Sequence, residues 1–135
     1  MNAVTNSILL VLCIAIIPVV VSADSSSPEG FENYFSNVST SLNLTDQQKT
    51  EVRPIFLSSF NDSESIFQKY GFNPAKGKRP SIFKIGDMKK EIEQSQAHTD
   101  EKLSKILSQQ QMDDLKKFRA QEAKKIEQEY DANKK

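Results

Sequence analysis

Apolar residues recur along most of the chain at spacings of three and four, which is the pattern that places side chains on one face of an α-helix. Four stretches show this pattern, and they cover residues 31–42, 45–70, 82–106 and 109–130. The second and third stretches are long and similar in length. The sequence therefore predicts an all-α chain of four helices.

Two features of the sequence affect the regularity of the predicted helices. Pro54 lies inside the second stretch, where its missing N–H disfavours a regular helix. Because the period continues unchanged beyond Pro54, the sequence predicts a bend there and not a break. Residues 71–81 contain two glycines and two prolines, and they predict a loop between the second and third helices. Gly71 suits the left-handed conformation that commonly closes a helix.

A polar start signal occurs twice in the sequence. Thr45 is followed three residues later by Gln48, and Ser108 is followed at the same spacing by Gln111. This is the pattern of a capping box, in which the hydroxyl oxygen accepts from a backbone N–H of the first turn and the glutamine reaches back to the N–H of the cap. The sequence therefore predicts that one helix begins at each motif.

The spacing of the two motifs predicts how the helices are arranged. The caps are 63 residues apart, and their midpoint falls inside the predicted loop. Long helices that are joined by this loop must run antiparallel, so both caps lie at the same end of a helical hairpin. We therefore expect Gln48 and Gln111 to be neighbours. Leu44 and Leu107, which precede the caps, are expected to pack under the junction.

The N-terminal residues predict export. Residues 8–21 are almost entirely aliphatic and are followed by small residues, with a cleavage site expected near Ala23. The apolar run contains Pro18 and is short for a membrane span, which needs about 20 residues. No Lys or Arg precedes it, so a retained N-terminal anchor stays open as an alternative. We expect an export signal at 1–23, a flexible leader at 24–30, a helical domain at 31–135, and a periplasmic location.

The charge of the chain restricts its expected partners, and its cysteine content restricts how the exported chain can be stabilised. The chain has 18 basic and 18 acidic residues, all of them after residue 23, so the overall positive field that favours nucleic acid is missing. Residues 76–135 hold 15 basic and 11 acidic side chains, which makes this half the expected docking surface for an acidic partner. Cys13 lies inside the predicted signal. The exported chain therefore has to rely on packing or on association, because it has no disulfide.

The sequence contains few residues that could form a metal site or a catalytic site. His98 is the single histidine, and helical phase places it away from the apolar line of the third helix. Met88 and Met112 lie on apolar lines and are expected to fill the core. We expect no metal site, because such sites need several ligands that converge. No glycine-rich phosphate loop or nucleophile motif is present, so we expect neither a cofactor nor an enzymatic activity.

The two capping motifs also carry a family resemblance. The segment LTDQQ spans Leu44–Gln48, and LSQQQ spans Leu107–Gln111 with serine in place of threonine. The segments VRPIF and KYGFNP, which follow the first motif, are further points of likeness. On these residues the chain resembles the Spy/CpxP-like LTxxQ-motif family of exported helical proteins. The resemblance extends from about Phe31 to Tyr130.

This resemblance implies a fold and a function. It implies an elongated, bent, cradle-like helical hairpin that dimerises and binds unfolded or partly folded proteins without nucleotide. The expected function is that of an ATP-independent periplasmic chaperone that suppresses aggregation of envelope proteins. The alternative is a regulatory adaptor that restrains the periplasmic domain of an envelope stress sensor kinase. The expected partners are misfolded exported proteins, or such a kinase, together with a second copy of the chain.

Apolar residues that lie off the main helical lines are the candidates for client binding. Helical phase places Leu57, Phe83 and Phe118 away from the inner faces of their helices. Neighbouring basic residues would add long side chains and positive charge. The complete candidate set is Arg53, Leu57, Phe83, Lys84, Lys89, Lys90 and Phe118. The alternative is that the apolar members fill a dimer interface or are isolated surface residues.

Overall fold

The structure, a computed structural model, describes residues 28–134. Its four helices are α1 (Phe31–Ser41), α2 (Asp46–Tyr70), α3 (Ile82–Leu103) and α4 (Gln109–Asn133). No β-strand occurs between residues 28 and 134, where the only strand-like pairing is an isolated bridge between Asn73 and Lys78. The predicted all-α fold of four helices is confirmed. The predicted export signal and most of the leader lie outside the described residues.

The two capping boxes set the starts of α2 and α4, and Gly71 sets the end of α2. Thr45 caps α2 and Ser108 caps α4, each through a complete capping box. Gly71 ends α2 with a φ of 69°, as predicted. The third helix is shorter than expected, because it ends at Leu103 and the chain then turns. The amides of residues 106 and 107 both donate to the Leu103 carbonyl, which tightens the chain before the next cap.

Helix α2 is continuous across Pro54, so the expectation that this residue would not break the helix is confirmed. The proline is exposed to solvent. Its ring therefore takes no part in the contact of α2 with the other helices. Val52 and Phe56, on either side of it, are both completely buried.

Helices α2 and α3 form the antiparallel hairpin. Near its loop end, Lys69 Nζ and the Tyr70 hydroxyl donate to the same oxygen of Glu91, at 2.5 and 2.7 Å. Further along, the Ser95 hydroxyl donates to Asp62 at 3.4 Å. The hydrogen bond from Lys69 holds the pKa of Glu91 below its ordinary value, and the bond from Tyr70 acts in the same direction. These polar contacts between the helices fix their register.

The hydrophobic core is concentrated at the end of the hairpin that carries the caps, which we call the cap end. Helix α1 packs there against both α2 and α4. The core side chains come from all four helices and their turns, and they are Phe31, Phe35, Val38, Leu42, Leu44, Val52, Phe56, Leu103, Leu107, Leu115 and Phe118. Tyr34 and Phe60 extend this cluster through tilted ring contacts, with their centroids 5.6 Å apart.

The opposite end, which we call the loop end, contains the α2–α3 loop and the last turn of α4. A short 3-10 helix, Pro74–Lys76, interrupts the loop and is in close contact with α4. Gly77 follows it with a φ of 61°, and a Cβ atom there would overlap the carbonyl of Asn133. The backbones of the loop and of α4 therefore meet at a position that only glycine fits.

Helix α4 is thus held at both of its ends. Its first half packs with α1, and its last turn meets the loop. Within residues 28–134, its middle makes no backbone approach to α2 or α3 as extensive as these. None of the described helices is apolar enough over a sufficient length to cross a bilayer.

Candidate functional site

The two capping boxes are joined to each other through their glutamines. Nε2 of Gln48 donates to Oε1 of Gln111, and Nε2 of Gln111 donates to Oε1 of Gln48, both at 2.9 Å. The same Oε1 atoms accept from the backbone N–H groups of Thr45 and Ser108, at 3.1 and 2.9 Å. The prediction that Gln48 and Gln111 are neighbours is confirmed.

The second amide hydrogen of each glutamine is donated to a backbone carbonyl in the turn that precedes the other glutamine's helix. Gln48 Nε2 donates to the Ile106 carbonyl, and Gln111 Nε2 donates to the Leu42 carbonyl, both at 3.3 Å. Each amide therefore uses two acceptor positions and two donor hydrogens, which is its full capacity. Leu44 and Leu107 are buried beside it, as predicted. The doubled motif is a structural clamp that ties the α1–α2 turn to the α3–α4 turn.

Arg53 was a candidate for client binding, and the structure gives it a partner on α1. Its guanidinium donates to both carboxylate oxygens of Glu32. It also lies over the rings of Phe31 and Phe35, 5.2 and 5.4 Å from their centroids. Arg53 therefore attaches α1 to α2, by a bidentate ion pair and by cation–π contact.

The prediction that Phe118 is a surface residue is wrong. Its side chain is 4% exposed and belongs to the core, with its ring 5.8 Å from that of Tyr34. The reason is that α1 packs against α4 from the side and widens the buried face of α4 beyond the line that the sequence pattern marks. Leu57 is half-buried and packs against the same core, so it too is less accessible than predicted.

The other candidates lie near the loop end, where Phe83 is 94% exposed. Lys84, Lys89 and Lys90 are exposed along the same helix. The Lys69–Glu91 contact fixes the register of the hairpin, and it places Phe83 roughly 30 Å from Leu57 along the helix axes at about 1.5 Å per residue. The structure therefore does not bring the candidates together into one surface.

An open groove lies between the α2–α3 hairpin and the middle of α4. It has two parts, of about 480 and 380 Å³, which share Phe67, Ile92, Ala123 and Ile126. Phe60 and Ile85 continue the apolar lining towards the cap end and the loop end, respectively. These large apolar side chains are half-buried.

The sequence pattern predicts the apolar faces that line this groove, but it does not predict the groove. Each of the three helices presents an apolar line, which by itself indicates a closed core. The side chains are left accessible because α4 approaches the hairpin closely only at its ends. Ser59 and Ser63, two small side chains of α2, also line the groove.

Polar groups form the cap-end wall of the groove. Arg119 Nη1 lies 2.8 and 2.9 Å from the two carboxylate oxygens of Asp100, which links α4 to α3. Tyr34 lies beside this pair. Burial raises the pKa of the Tyr34 hydroxyl, while the nearby Arg119 acts in the opposite direction. The Tyr34 hydroxyl therefore stays protonated near neutral pH and can donate a hydrogen bond.

The described residues offer no metal centre, since residues 28–134 contain no group of three or more His, Cys, Asp or Glu side chains that could hold an ion. His98 is exposed to solvent, as helical phase predicts. Met88 is buried, and Met112 packs against the core. Both methionines therefore have a packing role.

Comparisons of the chain with family models, with curated proteins and with solved structures find no match. The resemblance to the LTxxQ-motif family therefore stays a prediction, and it rests on the two motifs and their spacing.

Proposed function

We propose that this protein is an ATP-independent periplasmic chaperone that binds apolar segments of unfolded or partly folded exported proteins. The observation that carries the proposal is the open apolar groove between the hairpin and α4. Monomeric proteins seldom leave several large apolar side chains accessible along one continuous surface, and such surfaces commonly bind a partner. In this proposal the groove is the surface of the cradle-like fold that binds unfolded proteins.

The construction of the groove suits a loosely held and variable ligand. Its walls are aromatic and aliphatic, so they attract apolar side chains without requiring one particular sequence. Glu64, Arg119 and Glu122 provide charges of both signs along its lining. These charges can interact with the polar backbone and side chains of an extended segment. The helices on either side are joined at both ends, so the groove persists when it is empty.

The predicted homodimer is part of this proposal, because two copies could cover the same apolar side chains. Dimerisation through the groove would compete with client binding. Dimerisation through another surface would leave the groove accessible. The mass of the protein in solution, measured with and without an unfolded client, distinguishes these two arrangements.

Aggregation of an unrelated denatured enzyme, followed by light scattering, tests the chaperone proposal. We expect residues 24–135 to suppress the aggregation at stoichiometric amounts without nucleotide. Phe67→Ser and Ile126→Ser, in the groove, should weaken the suppression. Phe83→Ser is the matched control, because it removes an apolar side chain that lies outside the groove. Circular dichroism establishes that each variant is folded.

Two results would count against the proposal. If the wild-type chain has no effect on aggregation, the chaperone function is wrong. If Phe67→Ser and Ile126→Ser suppress as well as the wild type, the groove is not the binding site. Saturable binding to one folded sensor domain, combined with no suppression, would support the regulatory adaptor instead.

A further inference from the structure

Two adjacent apolar residues project from the loop end of the molecule. Ile82 and Phe83 begin α3 and are 87% and 94% exposed. Among the described residues they are the large apolar side chains with this degree of exposure. Neither contributes to the core or lines the groove between the hairpin and α4. Their exposure therefore has no explanation in the fold or in the proposed client site.

Positive charge is concentrated around this apolar pair. Residues 76–90 carry six Lys and Arg residues and one acidic residue, although the whole chain has no net charge. Lys76, Lys78 and Lys84 are exposed in the loop and in the first turn of α3. That first turn contains no acidic residue, so no side chain there offsets the positive end of the helix dipole.

The loop that presents these residues is ordered by its own hydrogen bonds. The backbone groups of Asn73 and Lys78 exchange two hydrogen bonds, each 2.9 Å long. The Asn73 side chain also accepts from the Lys76 amide at 3.2 Å. The Arg79 guanidinium lies over the ring of Tyr130, 4.6 Å from its centroid, and this contact holds the loop against α4. The basic and apolar side chains are therefore presented together by a preorganised segment.

We propose that the loop end docks on an anionic phospholipid bilayer. Ile82 and Phe83 enter the interfacial region, while Lys78, Lys84 and their basic neighbours bind lipid phosphates. Aromatic and aliphatic side chains next to Lys and Arg are the combination that binds such surfaces, through apolar burial and through electrostatic attraction.

A bilayer explains the arrangement better than a protein partner does. Apolar side chains that contribute strongly to binding a protein usually pack into a complementary pocket near the centre of the interface. Ile82 and Phe83 instead project from the end of a helix with basic residues before and after them. A fluid interface accepts projecting side chains without a preformed pocket. This docking is independent of the proposed chaperone activity, because it uses the loop end and leaves the groove open.

Flotation with lipid vesicles tests the proposal. The protein is residues 24–135, because the apolar segment of residues 8–21 would itself bind lipid. This chain contains all the core residues of the fold. We expect it to float with phosphatidylcholine vesicles that contain phosphatidylglycerol, but not with vesicles of phosphatidylcholine alone. High salt should weaken the binding, because it screens the basic side chains.

Paired variants separate the electrostatic contribution to vesicle binding from the apolar contribution. Lys78→Gln with Lys84→Gln should weaken binding roughly 25-fold, since each basic residue near an anionic surface contributes about a fivefold change. Lys102→Gln with Lys105→Gln removes the same charge from two exposed positions at the cap end and should leave the binding unchanged. Ile82→Ser with Phe83→Ser should reduce it by roughly tenfold or more.

A spectroscopic signal locates the contact directly. The chain contains no tryptophan, so Phe83→Trp introduces a single fluorophore. Its emission should shift to the blue when phosphatidylglycerol vesicles are added. The control is His98→Trp, at an exposed position of the same helix, and its emission should not shift.

The proposal is overturned if the wild-type chain does not bind these vesicles, or if it binds neutral and anionic vesicles equally. Unchanged binding of the Ile82→Ser, Phe83→Ser variant would also overturn it, as would equal blue shifts at positions 83 and 98. Binding of an acidic protein without vesicle binding would assign the loop end to a protein partner instead. Aggregation suppression is measured without lipid, so its failure is separate from failure of the docking.

Discussion

The side-chain amides of Gln48 and Gln111 exchange two hydrogen bonds across the cap end of the hairpin, although the residues are 63 positions apart in sequence. Both amides are partly buried, and each also holds the opposite turn through a backbone carbonyl. Truncation of either glutamine leaves the other with unpaired donor and acceptor groups. A buried polar group that loses its partner costs about 1–3 kcal/mol.

We therefore expect Gln48→Ala and Gln111→Ala each to lower the free energy of unfolding by about 1–3 kcal/mol. The double variant should lose less than the sum of the two, with a coupling of about 0.5–3 kcal/mol. Urea unfolding of the wild type and the three variants gives these values. Gln47→Ala is the control, since Gln47 is exposed and its hydrogen bond goes to Glu51 in the same helix. Strictly additive losses would show that the clamp is not cooperative.

Phe118 is buried where α1 packs against α4. Phe118→Ala should lower the free energy of unfolding by about 3–5 kcal/mol, because it opens a cavity between α1 and α4. Phe83→Ala removes the same ring from an exposed position and should change stability by less than about 0.5 kcal/mol. Thermal or urea unfolding distinguishes the two. Equal effects would mean that Phe118 does not belong to the core.

Gly77 and Gly71 provide a matched pair for the contact between the loop and α4. Both have a positive φ, so alanine carries the left-handed penalty of about 1–2 kcal/mol at either position. Only at Gly77 would the added Cβ also meet the backbone of α4, whereas the space around Gly71 is open. Gly77→Ala should therefore be the more destabilising, and it should speed amide hydrogen exchange in the last turn of α4. Equal effects at the two glycines would contradict the close approach at Gly77.

Glu91 makes the stability of the hairpin dependent on pH. Its hydrogen bonds from Lys69 and Tyr70 lower its pKa in the folded state. A lowered carboxyl pKa adds stability above the pKa of the unfolded chain, and this stability is lost as the pH falls through the folded value. The wild type should thus exceed Glu91→Gln in stability at neutral pH, and the difference should shrink below about pH 4.

Urea unfolding at several pH values measures this difference. Glu93→Gln is the control, because Glu93 is exposed on the same helix while the Lys69 hydrogen bond goes to Glu91. The Glu91 difference should also shrink at high salt, which screens exposed ion pairs. A difference between the wild type and Glu91→Gln that stayed constant from neutral to acid pH would contradict the assignment.

Local signals in the sequence predict both ends of α2 and the start of α4 well. A capping box and a glycine act within one or two turns of backbone, so they can be recognised without knowledge of the fold. The pairing of Gln48 with Gln111 is a tertiary contact. It is nevertheless predictable, because two caps at equal distances from one loop must meet when the helices between them run antiparallel.

The sequence does not predict contacts that depend on the position of a short helix. Helix α1 has an apolar face, but its 11 residues do not specify which helices it packs against. Its position between α2 and α4 buries Phe118 and gives Arg53 its partner Glu32. The sequence does not predict the groove for a related reason, because three apolar helical faces do not reveal how closely the third helix approaches the other two.

The concentration of core residues at the cap end divides the molecule into unequal parts. Eleven buried apolar side chains form one cluster there, whereas the hairpin near the loop end has few buried apolar side chains, Met88 among them, and exposed polar contacts such as Lys69 with Glu91. Regions with few buried apolar contacts open at lower free energy than the whole molecule unfolds. The distal turns of α2 and α3 should therefore open at a lower free energy than the clamped end, where exchange of the backbone amides should require unfolding of the whole molecule.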